Sequence, residues 1–139
     1  LVQSETKILK ACAMLPYHGD ILESAIDLAE RKIPVEIILS NWTDPIINRF
    51  PYNLYYVNLR RRIKSLYPYI KLYHHRGTMH IKGIIGTKEA MIGSHNMDQF
   101  LTDFMPPDEL QLLTRDTQLL ANLDIMFEDL KRDATLLEY

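Results

Sequence analysis

The pattern of apolar and polar residues predicts a strand, a helix and a second strand at the start of the chain. Residues 7–15 and 35–39 are short apolar or β-branched runs, and residues 20–32 between them carry apolar side chains at helical spacing. Pro34 ends the helical segment before the second run begins. This order is a β-α-β unit, so we expect its strands to pair in parallel through a right-handed crossover.

The rest of the chain adds elements of both kinds. Residues 41–53 contain two prolines and predict a long, unusually apolar loop, and residues 54–66 have a helical pattern. Later segments predict four strands and a closing amphipathic helix, at residues 69–73, 78–85, 90–92, 110–113 and 117–132. We therefore expect a layered α/β domain of five to seven strands and three helices, with a mixed, mostly parallel sheet flanked by helices.

The composition is that of a globular protein with one domain. The chain has 139 residues, of which 47% are apolar and 24% charged. No apolar run approaches the roughly 20 residues that a membrane-spanning helix requires. The single cysteine, Cys12, excludes an internal disulfide, and the adjacent His74 and His75 point to opposite faces of a strand. No metal ligand set is evident, and we expect no cofactor.

The charge is distributed unevenly. The net charge is −2, yet residues 45–88 contain no Asp or Glu. That segment carries nine basic residues: Arg49, Arg60, Arg61, Arg62, Lys64, Lys71, Arg76, Lys82 and Lys88. One cationic segment in a nearly neutral chain is typical of a site for anions. The four basic residues between positions 60 and 64, taken alone, also fit a solvated helix face.

The candidate chemistry begins with His80 and Lys82. In a strand the two side chains project from the same face, and Ile81 projects from the other. Each cation raises the cost of charging its neighbour, and no carboxylate lies near them in sequence. This pairing indicates a shared anion.

The next predicted strand ends in a second set of polar groups, Gly93-Ser94-His95-Asn96. Gly93 permits a close approach of the backbone, Ser94 offers a hydroxyl and Asn96 offers an amide donor. His95 is a weaker candidate that lines the rim of the site or packs beside it. Arg76, ahead of the His strand, is a candidate for contacting a second phosphate.

The spacing of His80, Lys82, Gly93, Ser94 and Asn96 resembles the signature of the phospholipase D superfamily. The resemblance implies a phospholipase D-like fold and an enzyme that hydrolyses or transfers phosphodiesters. It implies that neutral His80 attacks phosphorus to form a phosphohistidine, while Lys82, Asn96 and Ser94 stabilise charge on the phosphate oxygens. Glu109, just before the strand at 110–113, would orient the imidazole.

The chain departs from the superfamily pattern in two respects. Thr87 stands where the motif has an Asp, which in the superfamily is understood to support the loop after the His strand rather than to react. The superfamily builds its site from two such motifs, whereas this chain carries one. We therefore expect residues 1–139 to be a single domain that forms a homodimer or is half of a longer two-motif protein. The absence of an initial Met favours the second.

Three functions fit these features. Phospholipids are the favoured substrate, because the apolar loops 42–52 and 100–107 could touch a membrane while the cationic segment meets anionic lipid. The first alternative is a nuclease of the same superfamily that uses the basic residues of 60–64 and Arg76 along a nucleic-acid backbone. The second is a catalytically degenerate scaffold that still binds an anion, as the loss of the Asp suggests. We expect a cytoplasmic or peripheral membrane location.

Overall fold

The computed structural model describes residues 7–13, 20–39, 61–77, 82–93 and 111–136. Its strands and longer helices are β1 Leu9–Ala13, α1 Asp20–Glu30, β2 Val35–Leu39, β3 Ile70–His75, β4 Lys82–Ile85, β5 Ala90–Gly93, β6 Gln111–Thr114, α2 Thr117–Arg132 and β7 Ala134–Leu136. A helical turn at residues 61–64 precedes β3. Within these ranges no helix has the length and apolar character needed to cross a membrane.

The seven strands form one sheet in the order β6-β5-β4-β1-β2-β3-β7. The expected α/β class and the mixed sheet are confirmed, and β1 and β2 pair in parallel as predicted. Of the six pairings among the described strands, two are parallel and four are antiparallel, which corrects the expected mostly parallel sheet. Short connections account for two of the four antiparallel pairings: a tight turn reverses the chain between β4 and β5, and β7 follows α2 directly.

The central strands of the sheet are buried on both faces. On one face, Leu123 and Phe127 of α2 join a buried cluster with Cys12, Ile38, Tyr73, Ile85 and Ala90. The buried residues of α1, Ala25, Ile26, Leu28 and Ala29, belong to no part of this cluster, so α1 covers the other face. Residues facing α1 alternate along the strands with those facing α2, as the pleat requires.

Both ends of α2 are stabilised by local chemistry. Asp116 caps the amino end, where its side chain accepts a hydrogen bond from the backbone N–H of Leu119 at 2.8 Å. Lys131 and Arg132 occupy the last turn, where positive charge favours the helix dipole. The predicted bounds of α2 and β2 coincide with those observed, because α2 has apolar residues at helical spacing and β2 is a β-branched apolar run that follows Pro34.

Other predicted elements are described only in part. The predicted helix at 54–66 is seen at residues 61–64, and the predicted strand at 78–85 is seen from Lys82 onward. The loops at 42–52 and 100–107 lie outside the described residues. Strand β7 was not predicted, since three residues directly after a helix are too few to show an alternating pattern.

Candidate functional site

One described residue from each half of the predicted motif, Lys82 and Gly93, lies at the same end of the strands. Lys82, the first residue of β4, pairs with Gly93 at the end of β5, and Gly93 pairs in turn with Gln111, which begins β6. On the other side of β4, Cys12 near the end of β1 pairs with Gly83. We call the row Lys82, Gly93 and Gln111 the motif edge. It coincides with the carboxyl end of β1, and ligands of open α/β sheets bind outside the carboxyl ends of strands.

Lys82 has surroundings that suit an anion. Its side chain is half-buried and projects from the face away from α2, because the alternate residues Gly83 and Ile85 face α2. Within the part of the chain that the structure describes, no carboxylate forms an ion pair with Lys82. Gly93 lies directly opposite on the same face and, lacking a side chain, leaves space beside the lysine. An ammonium held this way can receive a phosphate oxygen.

Five of the predicted site residues lie outside the described residues: His80, Ser94, His95, Asn96 and Glu109. In sequence, however, each lies close to the motif edge. His80 comes two residues before Lys82, the next three follow Gly93 directly, and Glu109 comes two residues before Gln111. The roles of these five residues stay predictions.

Gly83 is a feature of this edge that the sequence reasoning missed. A Cβ atom built at position 83 would lie 3.2 Å from the backbone oxygen of Met91 and 3.8 Å from both Cα and Cγ2 of Ile92. The backbones of β4 and β5 are therefore closely apposed next to Lys82. A glycine inside a strand is the sequence signal that could have indicated this approach.

Arg76 lies farther along the sheet. It follows β3, which is three strands from β4, a separation of about 14 Å. Its Nη2 donates to Oδ1 of Asp133 at 2.8 Å, and both side chains are exposed. The structure thus brings Arg76 together with Asp133 and not with Lys82, and its contact with a second phosphate stays a prediction.

Part of the cationic segment contributes to the fold. Arg62 donates two hydrogen bonds of 2.6 Å to the carboxylate of Glu23 on α1. The hydrogen bonds that Arg62 donates to Glu23 raise the pKa of Arg62, and the negative charges of Asp27 and Glu30 on the same helix add to the effect. The neighbouring Ile63 is fully buried. The helical turn at 61–64 is therefore docked onto an acidic helix, which reduces the positive potential around it.

Thr87, the residue in the position of the motif Asp, lies at the opposite edge of the sheet. It is exposed in the turn between β4 and β5, beyond the end of β4 that is far from Lys82, and β4 alone spans about 10 Å. It lines a pocket of about 310 Å³ whose other walls include Lys10 and Asp124. The exchange of Asp for Thr therefore removes no group from the motif edge.

Lys10 is the centre of an ion-pair network beneath α2. Its Nζ lies 2.5 Å from Oδ1 of Asp124 and 2.8 Å from Oε1 of Glu128, and 5.4 Å from the centre of the Phe127 ring. Burial lowers the pKa of Lys10, but the hydrogen bonds to the two carboxylates more than offset this and leave the pKa raised. Lys10 is thus a structural lysine that is held charged.

Two further observations limit the chemistry of the described residues. Burial raises the pKa of the Cys12 thiol to about 12, so this cysteine is a core residue rather than a nucleophile. No group of three or more His, Cys, Asp or Glu side chains among residues 7–13, 20–39, 61–77, 82–93 and 111–136 is arranged to hold a metal ion.

Comparison with known proteins gives a family and a fold. The profile of a family described as "Cardiolipin synthase, PLD-like domain" matches residues 1–131. No curated protein sequence matches the chain. NucT from Helicobacter pylori has 20% identity and a TM-score of 0.75, with 98% of this chain and 86% of that chain covered.

Two further solved structures share the fold. Nuc from Salmonella typhimurium, a phospholipase D family member, has 13% identity and a TM-score of 0.77, with 99% of this chain and 86% of that chain covered. Phosphatidylserine synthase from Haemophilus influenzae Rd KW20 has 19% identity and a TM-score of 0.73, with 99% of this chain but 36% of that chain covered. The chain therefore spans about a third of the synthase.

Proposed function

The chain belongs to the family of cardiolipin synthase, phospholipase D-like domains, and we propose that it cleaves or transfers phosphodiesters through a phosphohistidine on His80. The observation that carries this proposal is the pairing of Lys82 with Gly93. A single phosphate site needs the His-x-Lys and Gly-Ser-x-Asn segments side by side, and this register supports that arrangement.

In the proposed reaction the imidazole of His80 attacks phosphorus, and the bond from phosphorus to the leaving oxygen breaks. The leaving alcohol takes a proton from a second histidine. Water or an acceptor alcohol then gives a proton to that histidine as it attacks the phosphohistidine, and the bond from phosphorus to nitrogen breaks to release the imidazole of His80. Lys82, Asn96 and Ser94 stabilise the charge on the phosphate oxygens, and Glu109 orients the imidazole. No step requires a metal.

The second histidine has to come from outside this single motif. We propose that it is His80 of a second copy in a homodimer, or its counterpart in a second half of a longer protein. Light scattering of the purified chain at several concentrations tests the dimer. A monomer throughout that is also inactive would favour the two-motif protein.

A phospholipid is the substrate class we favour. The family description supports it, and so does the docking of Arg62 onto α1, because a nucleic-acid backbone laid along the turn at 61–64 would also meet Glu23, Asp27 and Glu30. A protein acting on lipid head groups would work in the cytoplasm or at a membrane surface. The exposed Arg61 and Lys64 favour the nuclease as the second candidate.

The test of the chemistry is hydrolysis of bis-p-nitrophenyl phosphate by the wild type and by His80→Ala. We expect the substitution to lower kcat/KM by at least about a thousandfold, and an acid quench of the wild type to trap a phosphorylated histidine. Equal background rates from both proteins, with the fold intact, would instead favour the scaffold.

The substrate class is tested by binding and turnover. Binding to cardiolipin or phosphatidylglycerol vesicles, and not to neutral ones, together with release of the head group, would support the lipid substrate. Cleavage of DNA or RNA, with an affinity that falls steeply as salt rises, would support the nuclease.

A further inference from the structure

Gly83 lies between the two halves of the candidate site. It follows Lys82 in β4 and pairs with Ile92, the residue before Gly93 in β5. The closest atom to a Cβ at this position would be the backbone oxygen of Met91, at 3.2 Å. A contact with backbone cannot be relieved by rotating a side chain, so β5 itself would have to move by a few tenths of an ångström.

Gly77 lacks the close backbone contact found at Gly83. Among the residues that the structure describes, a Cβ built there would meet ring atoms of His75 at 3.7 and 3.8 Å, which is ordinary van der Waals contact. Both glycines are half-buried and neither has the positive φ that would strain an alanine. The two therefore form a matched pair that differs in the space available for a methyl group.

The close approach of β4 and β5 affects the geometry of the motif edge. Because Lys82 and Gly93 are register partners one residue away, the separation of β4 and β5 at Gly83 also sets the distance from Lys82 to Gly93. We propose that Gly83 is a positioning residue, whose missing side chain lets β4 and β5 hold Lys82 and Gly93 at the spacing that one phosphate requires. This inference rests on the proposed function.

The test compares Gly83→Ala with Gly77→Ala in the full chain. Since a misplacement of 1 Å can cost about a hundredfold in rate, we expect Gly83→Ala to lower kcat on bis-p-nitrophenyl phosphate by roughly threefold to tenfold. It should also weaken the binding of inorganic phosphate, followed by NMR, and shift the Gly93 amide resonance. Gly77→Ala should change kcat and phosphate affinity by no more than roughly twofold and leave the Gly93 amide resonance unmoved, because its methyl group would make ordinary van der Waals contacts.

The outcomes separate this inference from the proposed function. A folded Gly83→Ala protein with wild-type kcat, phosphate affinity and Gly93 resonance would overturn the positioning role. A wild type without activity would overturn the proposed function, while phosphate binding and the Gly93 shift would still test the geometry. If Gly83→Ala fails to fold, NOEs between the Gly83 Hα protons and Ile92 in the wild type test the close approach, and their absence would overturn it.

Discussion

Two lysines on adjacent strands of the sheet have opposite surroundings. Lys10 on β1 is 8% exposed and is held by the carboxylates of Asp124 and Glu128. Lys82 on β4 is half-buried, faces the side chain-free Gly93, and has no ion pair with a carboxylate in the described part of the chain. The same residue type thus serves the fold in one place and leaves room for an external anion in the other.

The two lysines differ in the source of the negative charge that faces them. A buried ammonium is costly unless it is paired and hydrogen-bonded, and α2 provides the partners of Lys10 permanently. At the motif edge a substrate phosphate would provide that charge for the duration of binding. Removing Lys10 should therefore affect stability, whereas removing Lys82 should affect activity.

The largest effect expected from this comparison is that of Lys82→Met. We expect kcat/KM on bis-p-nitrophenyl phosphate to fall by about a hundredfold to a thousandfold, because one charge-stabilising donor is lost from the transition state. The free energy of unfolding in urea should be unchanged within about 0.5 kcal/mol. A variant that keeps wild-type activity would show that the motif edge does not bind the reacting phosphate.

The converse substitution, Lys10→Met, should lower the free energy of unfolding. Breaking a fully buried pair costs about 3 to 5 kcal/mol, and the partial exposure of the two carboxylates reduces our expectation to about 2 kcal/mol. Urea denaturation measures this loss. The activity per folded molecule should stay at the wild-type level, and a loss of activity as large as that of Lys82→Met would erase the distinction between the two lysines.

The stability difference between wild type and Lys10→Met should depend on pH. The hydrogen bond from Lys10 is the main cause that lowers the pKa of Glu128. A lowered pKa in the folded state gives stability that is complete above the ordinary value of 4.5 and is lost as the pH falls through the lowered pKa. The difference should therefore narrow in urea titrations below about pH 4.5, and a difference that widens there would contradict the assignment.

The smallest effect is expected from Thr87→Asp. The position lies beyond a Debye length of about 8 Å from Lys82, so the added charge should change kcat/KM by no more than roughly twofold. It should lower stability slightly, since Asp124 already lines the same pocket. A gain in activity of tenfold or more would show that the Thr at this position had disabled the enzyme.

The parts of the fold that follow from local periodicity were predictable. The helix at 117–132 and the strand at 35–39 have the predicted bounds, and the β-α-β unit pairs in parallel. The directions of the strands after this unit were not predictable, because they depend on how each connection returns the chain to the sheet. The successive strands predicted at 78–85 and 90–92 are also seen as neighbours, joined by a tight turn at Gly86.

Most element types, the cationic segment and the motif residues could be predicted from the sequence, because each depends on neighbours along the chain. The tertiary structure alone decided that Lys82 faces Gly93, that Arg62 is engaged by Glu23, and that Lys10 is held by α2. These are contacts between residues far apart in sequence. The role of a charged side chain depends on which partner the folded structure places beside it. For the same reason the close approach at Gly83 is a property of two paired strands and not of either one.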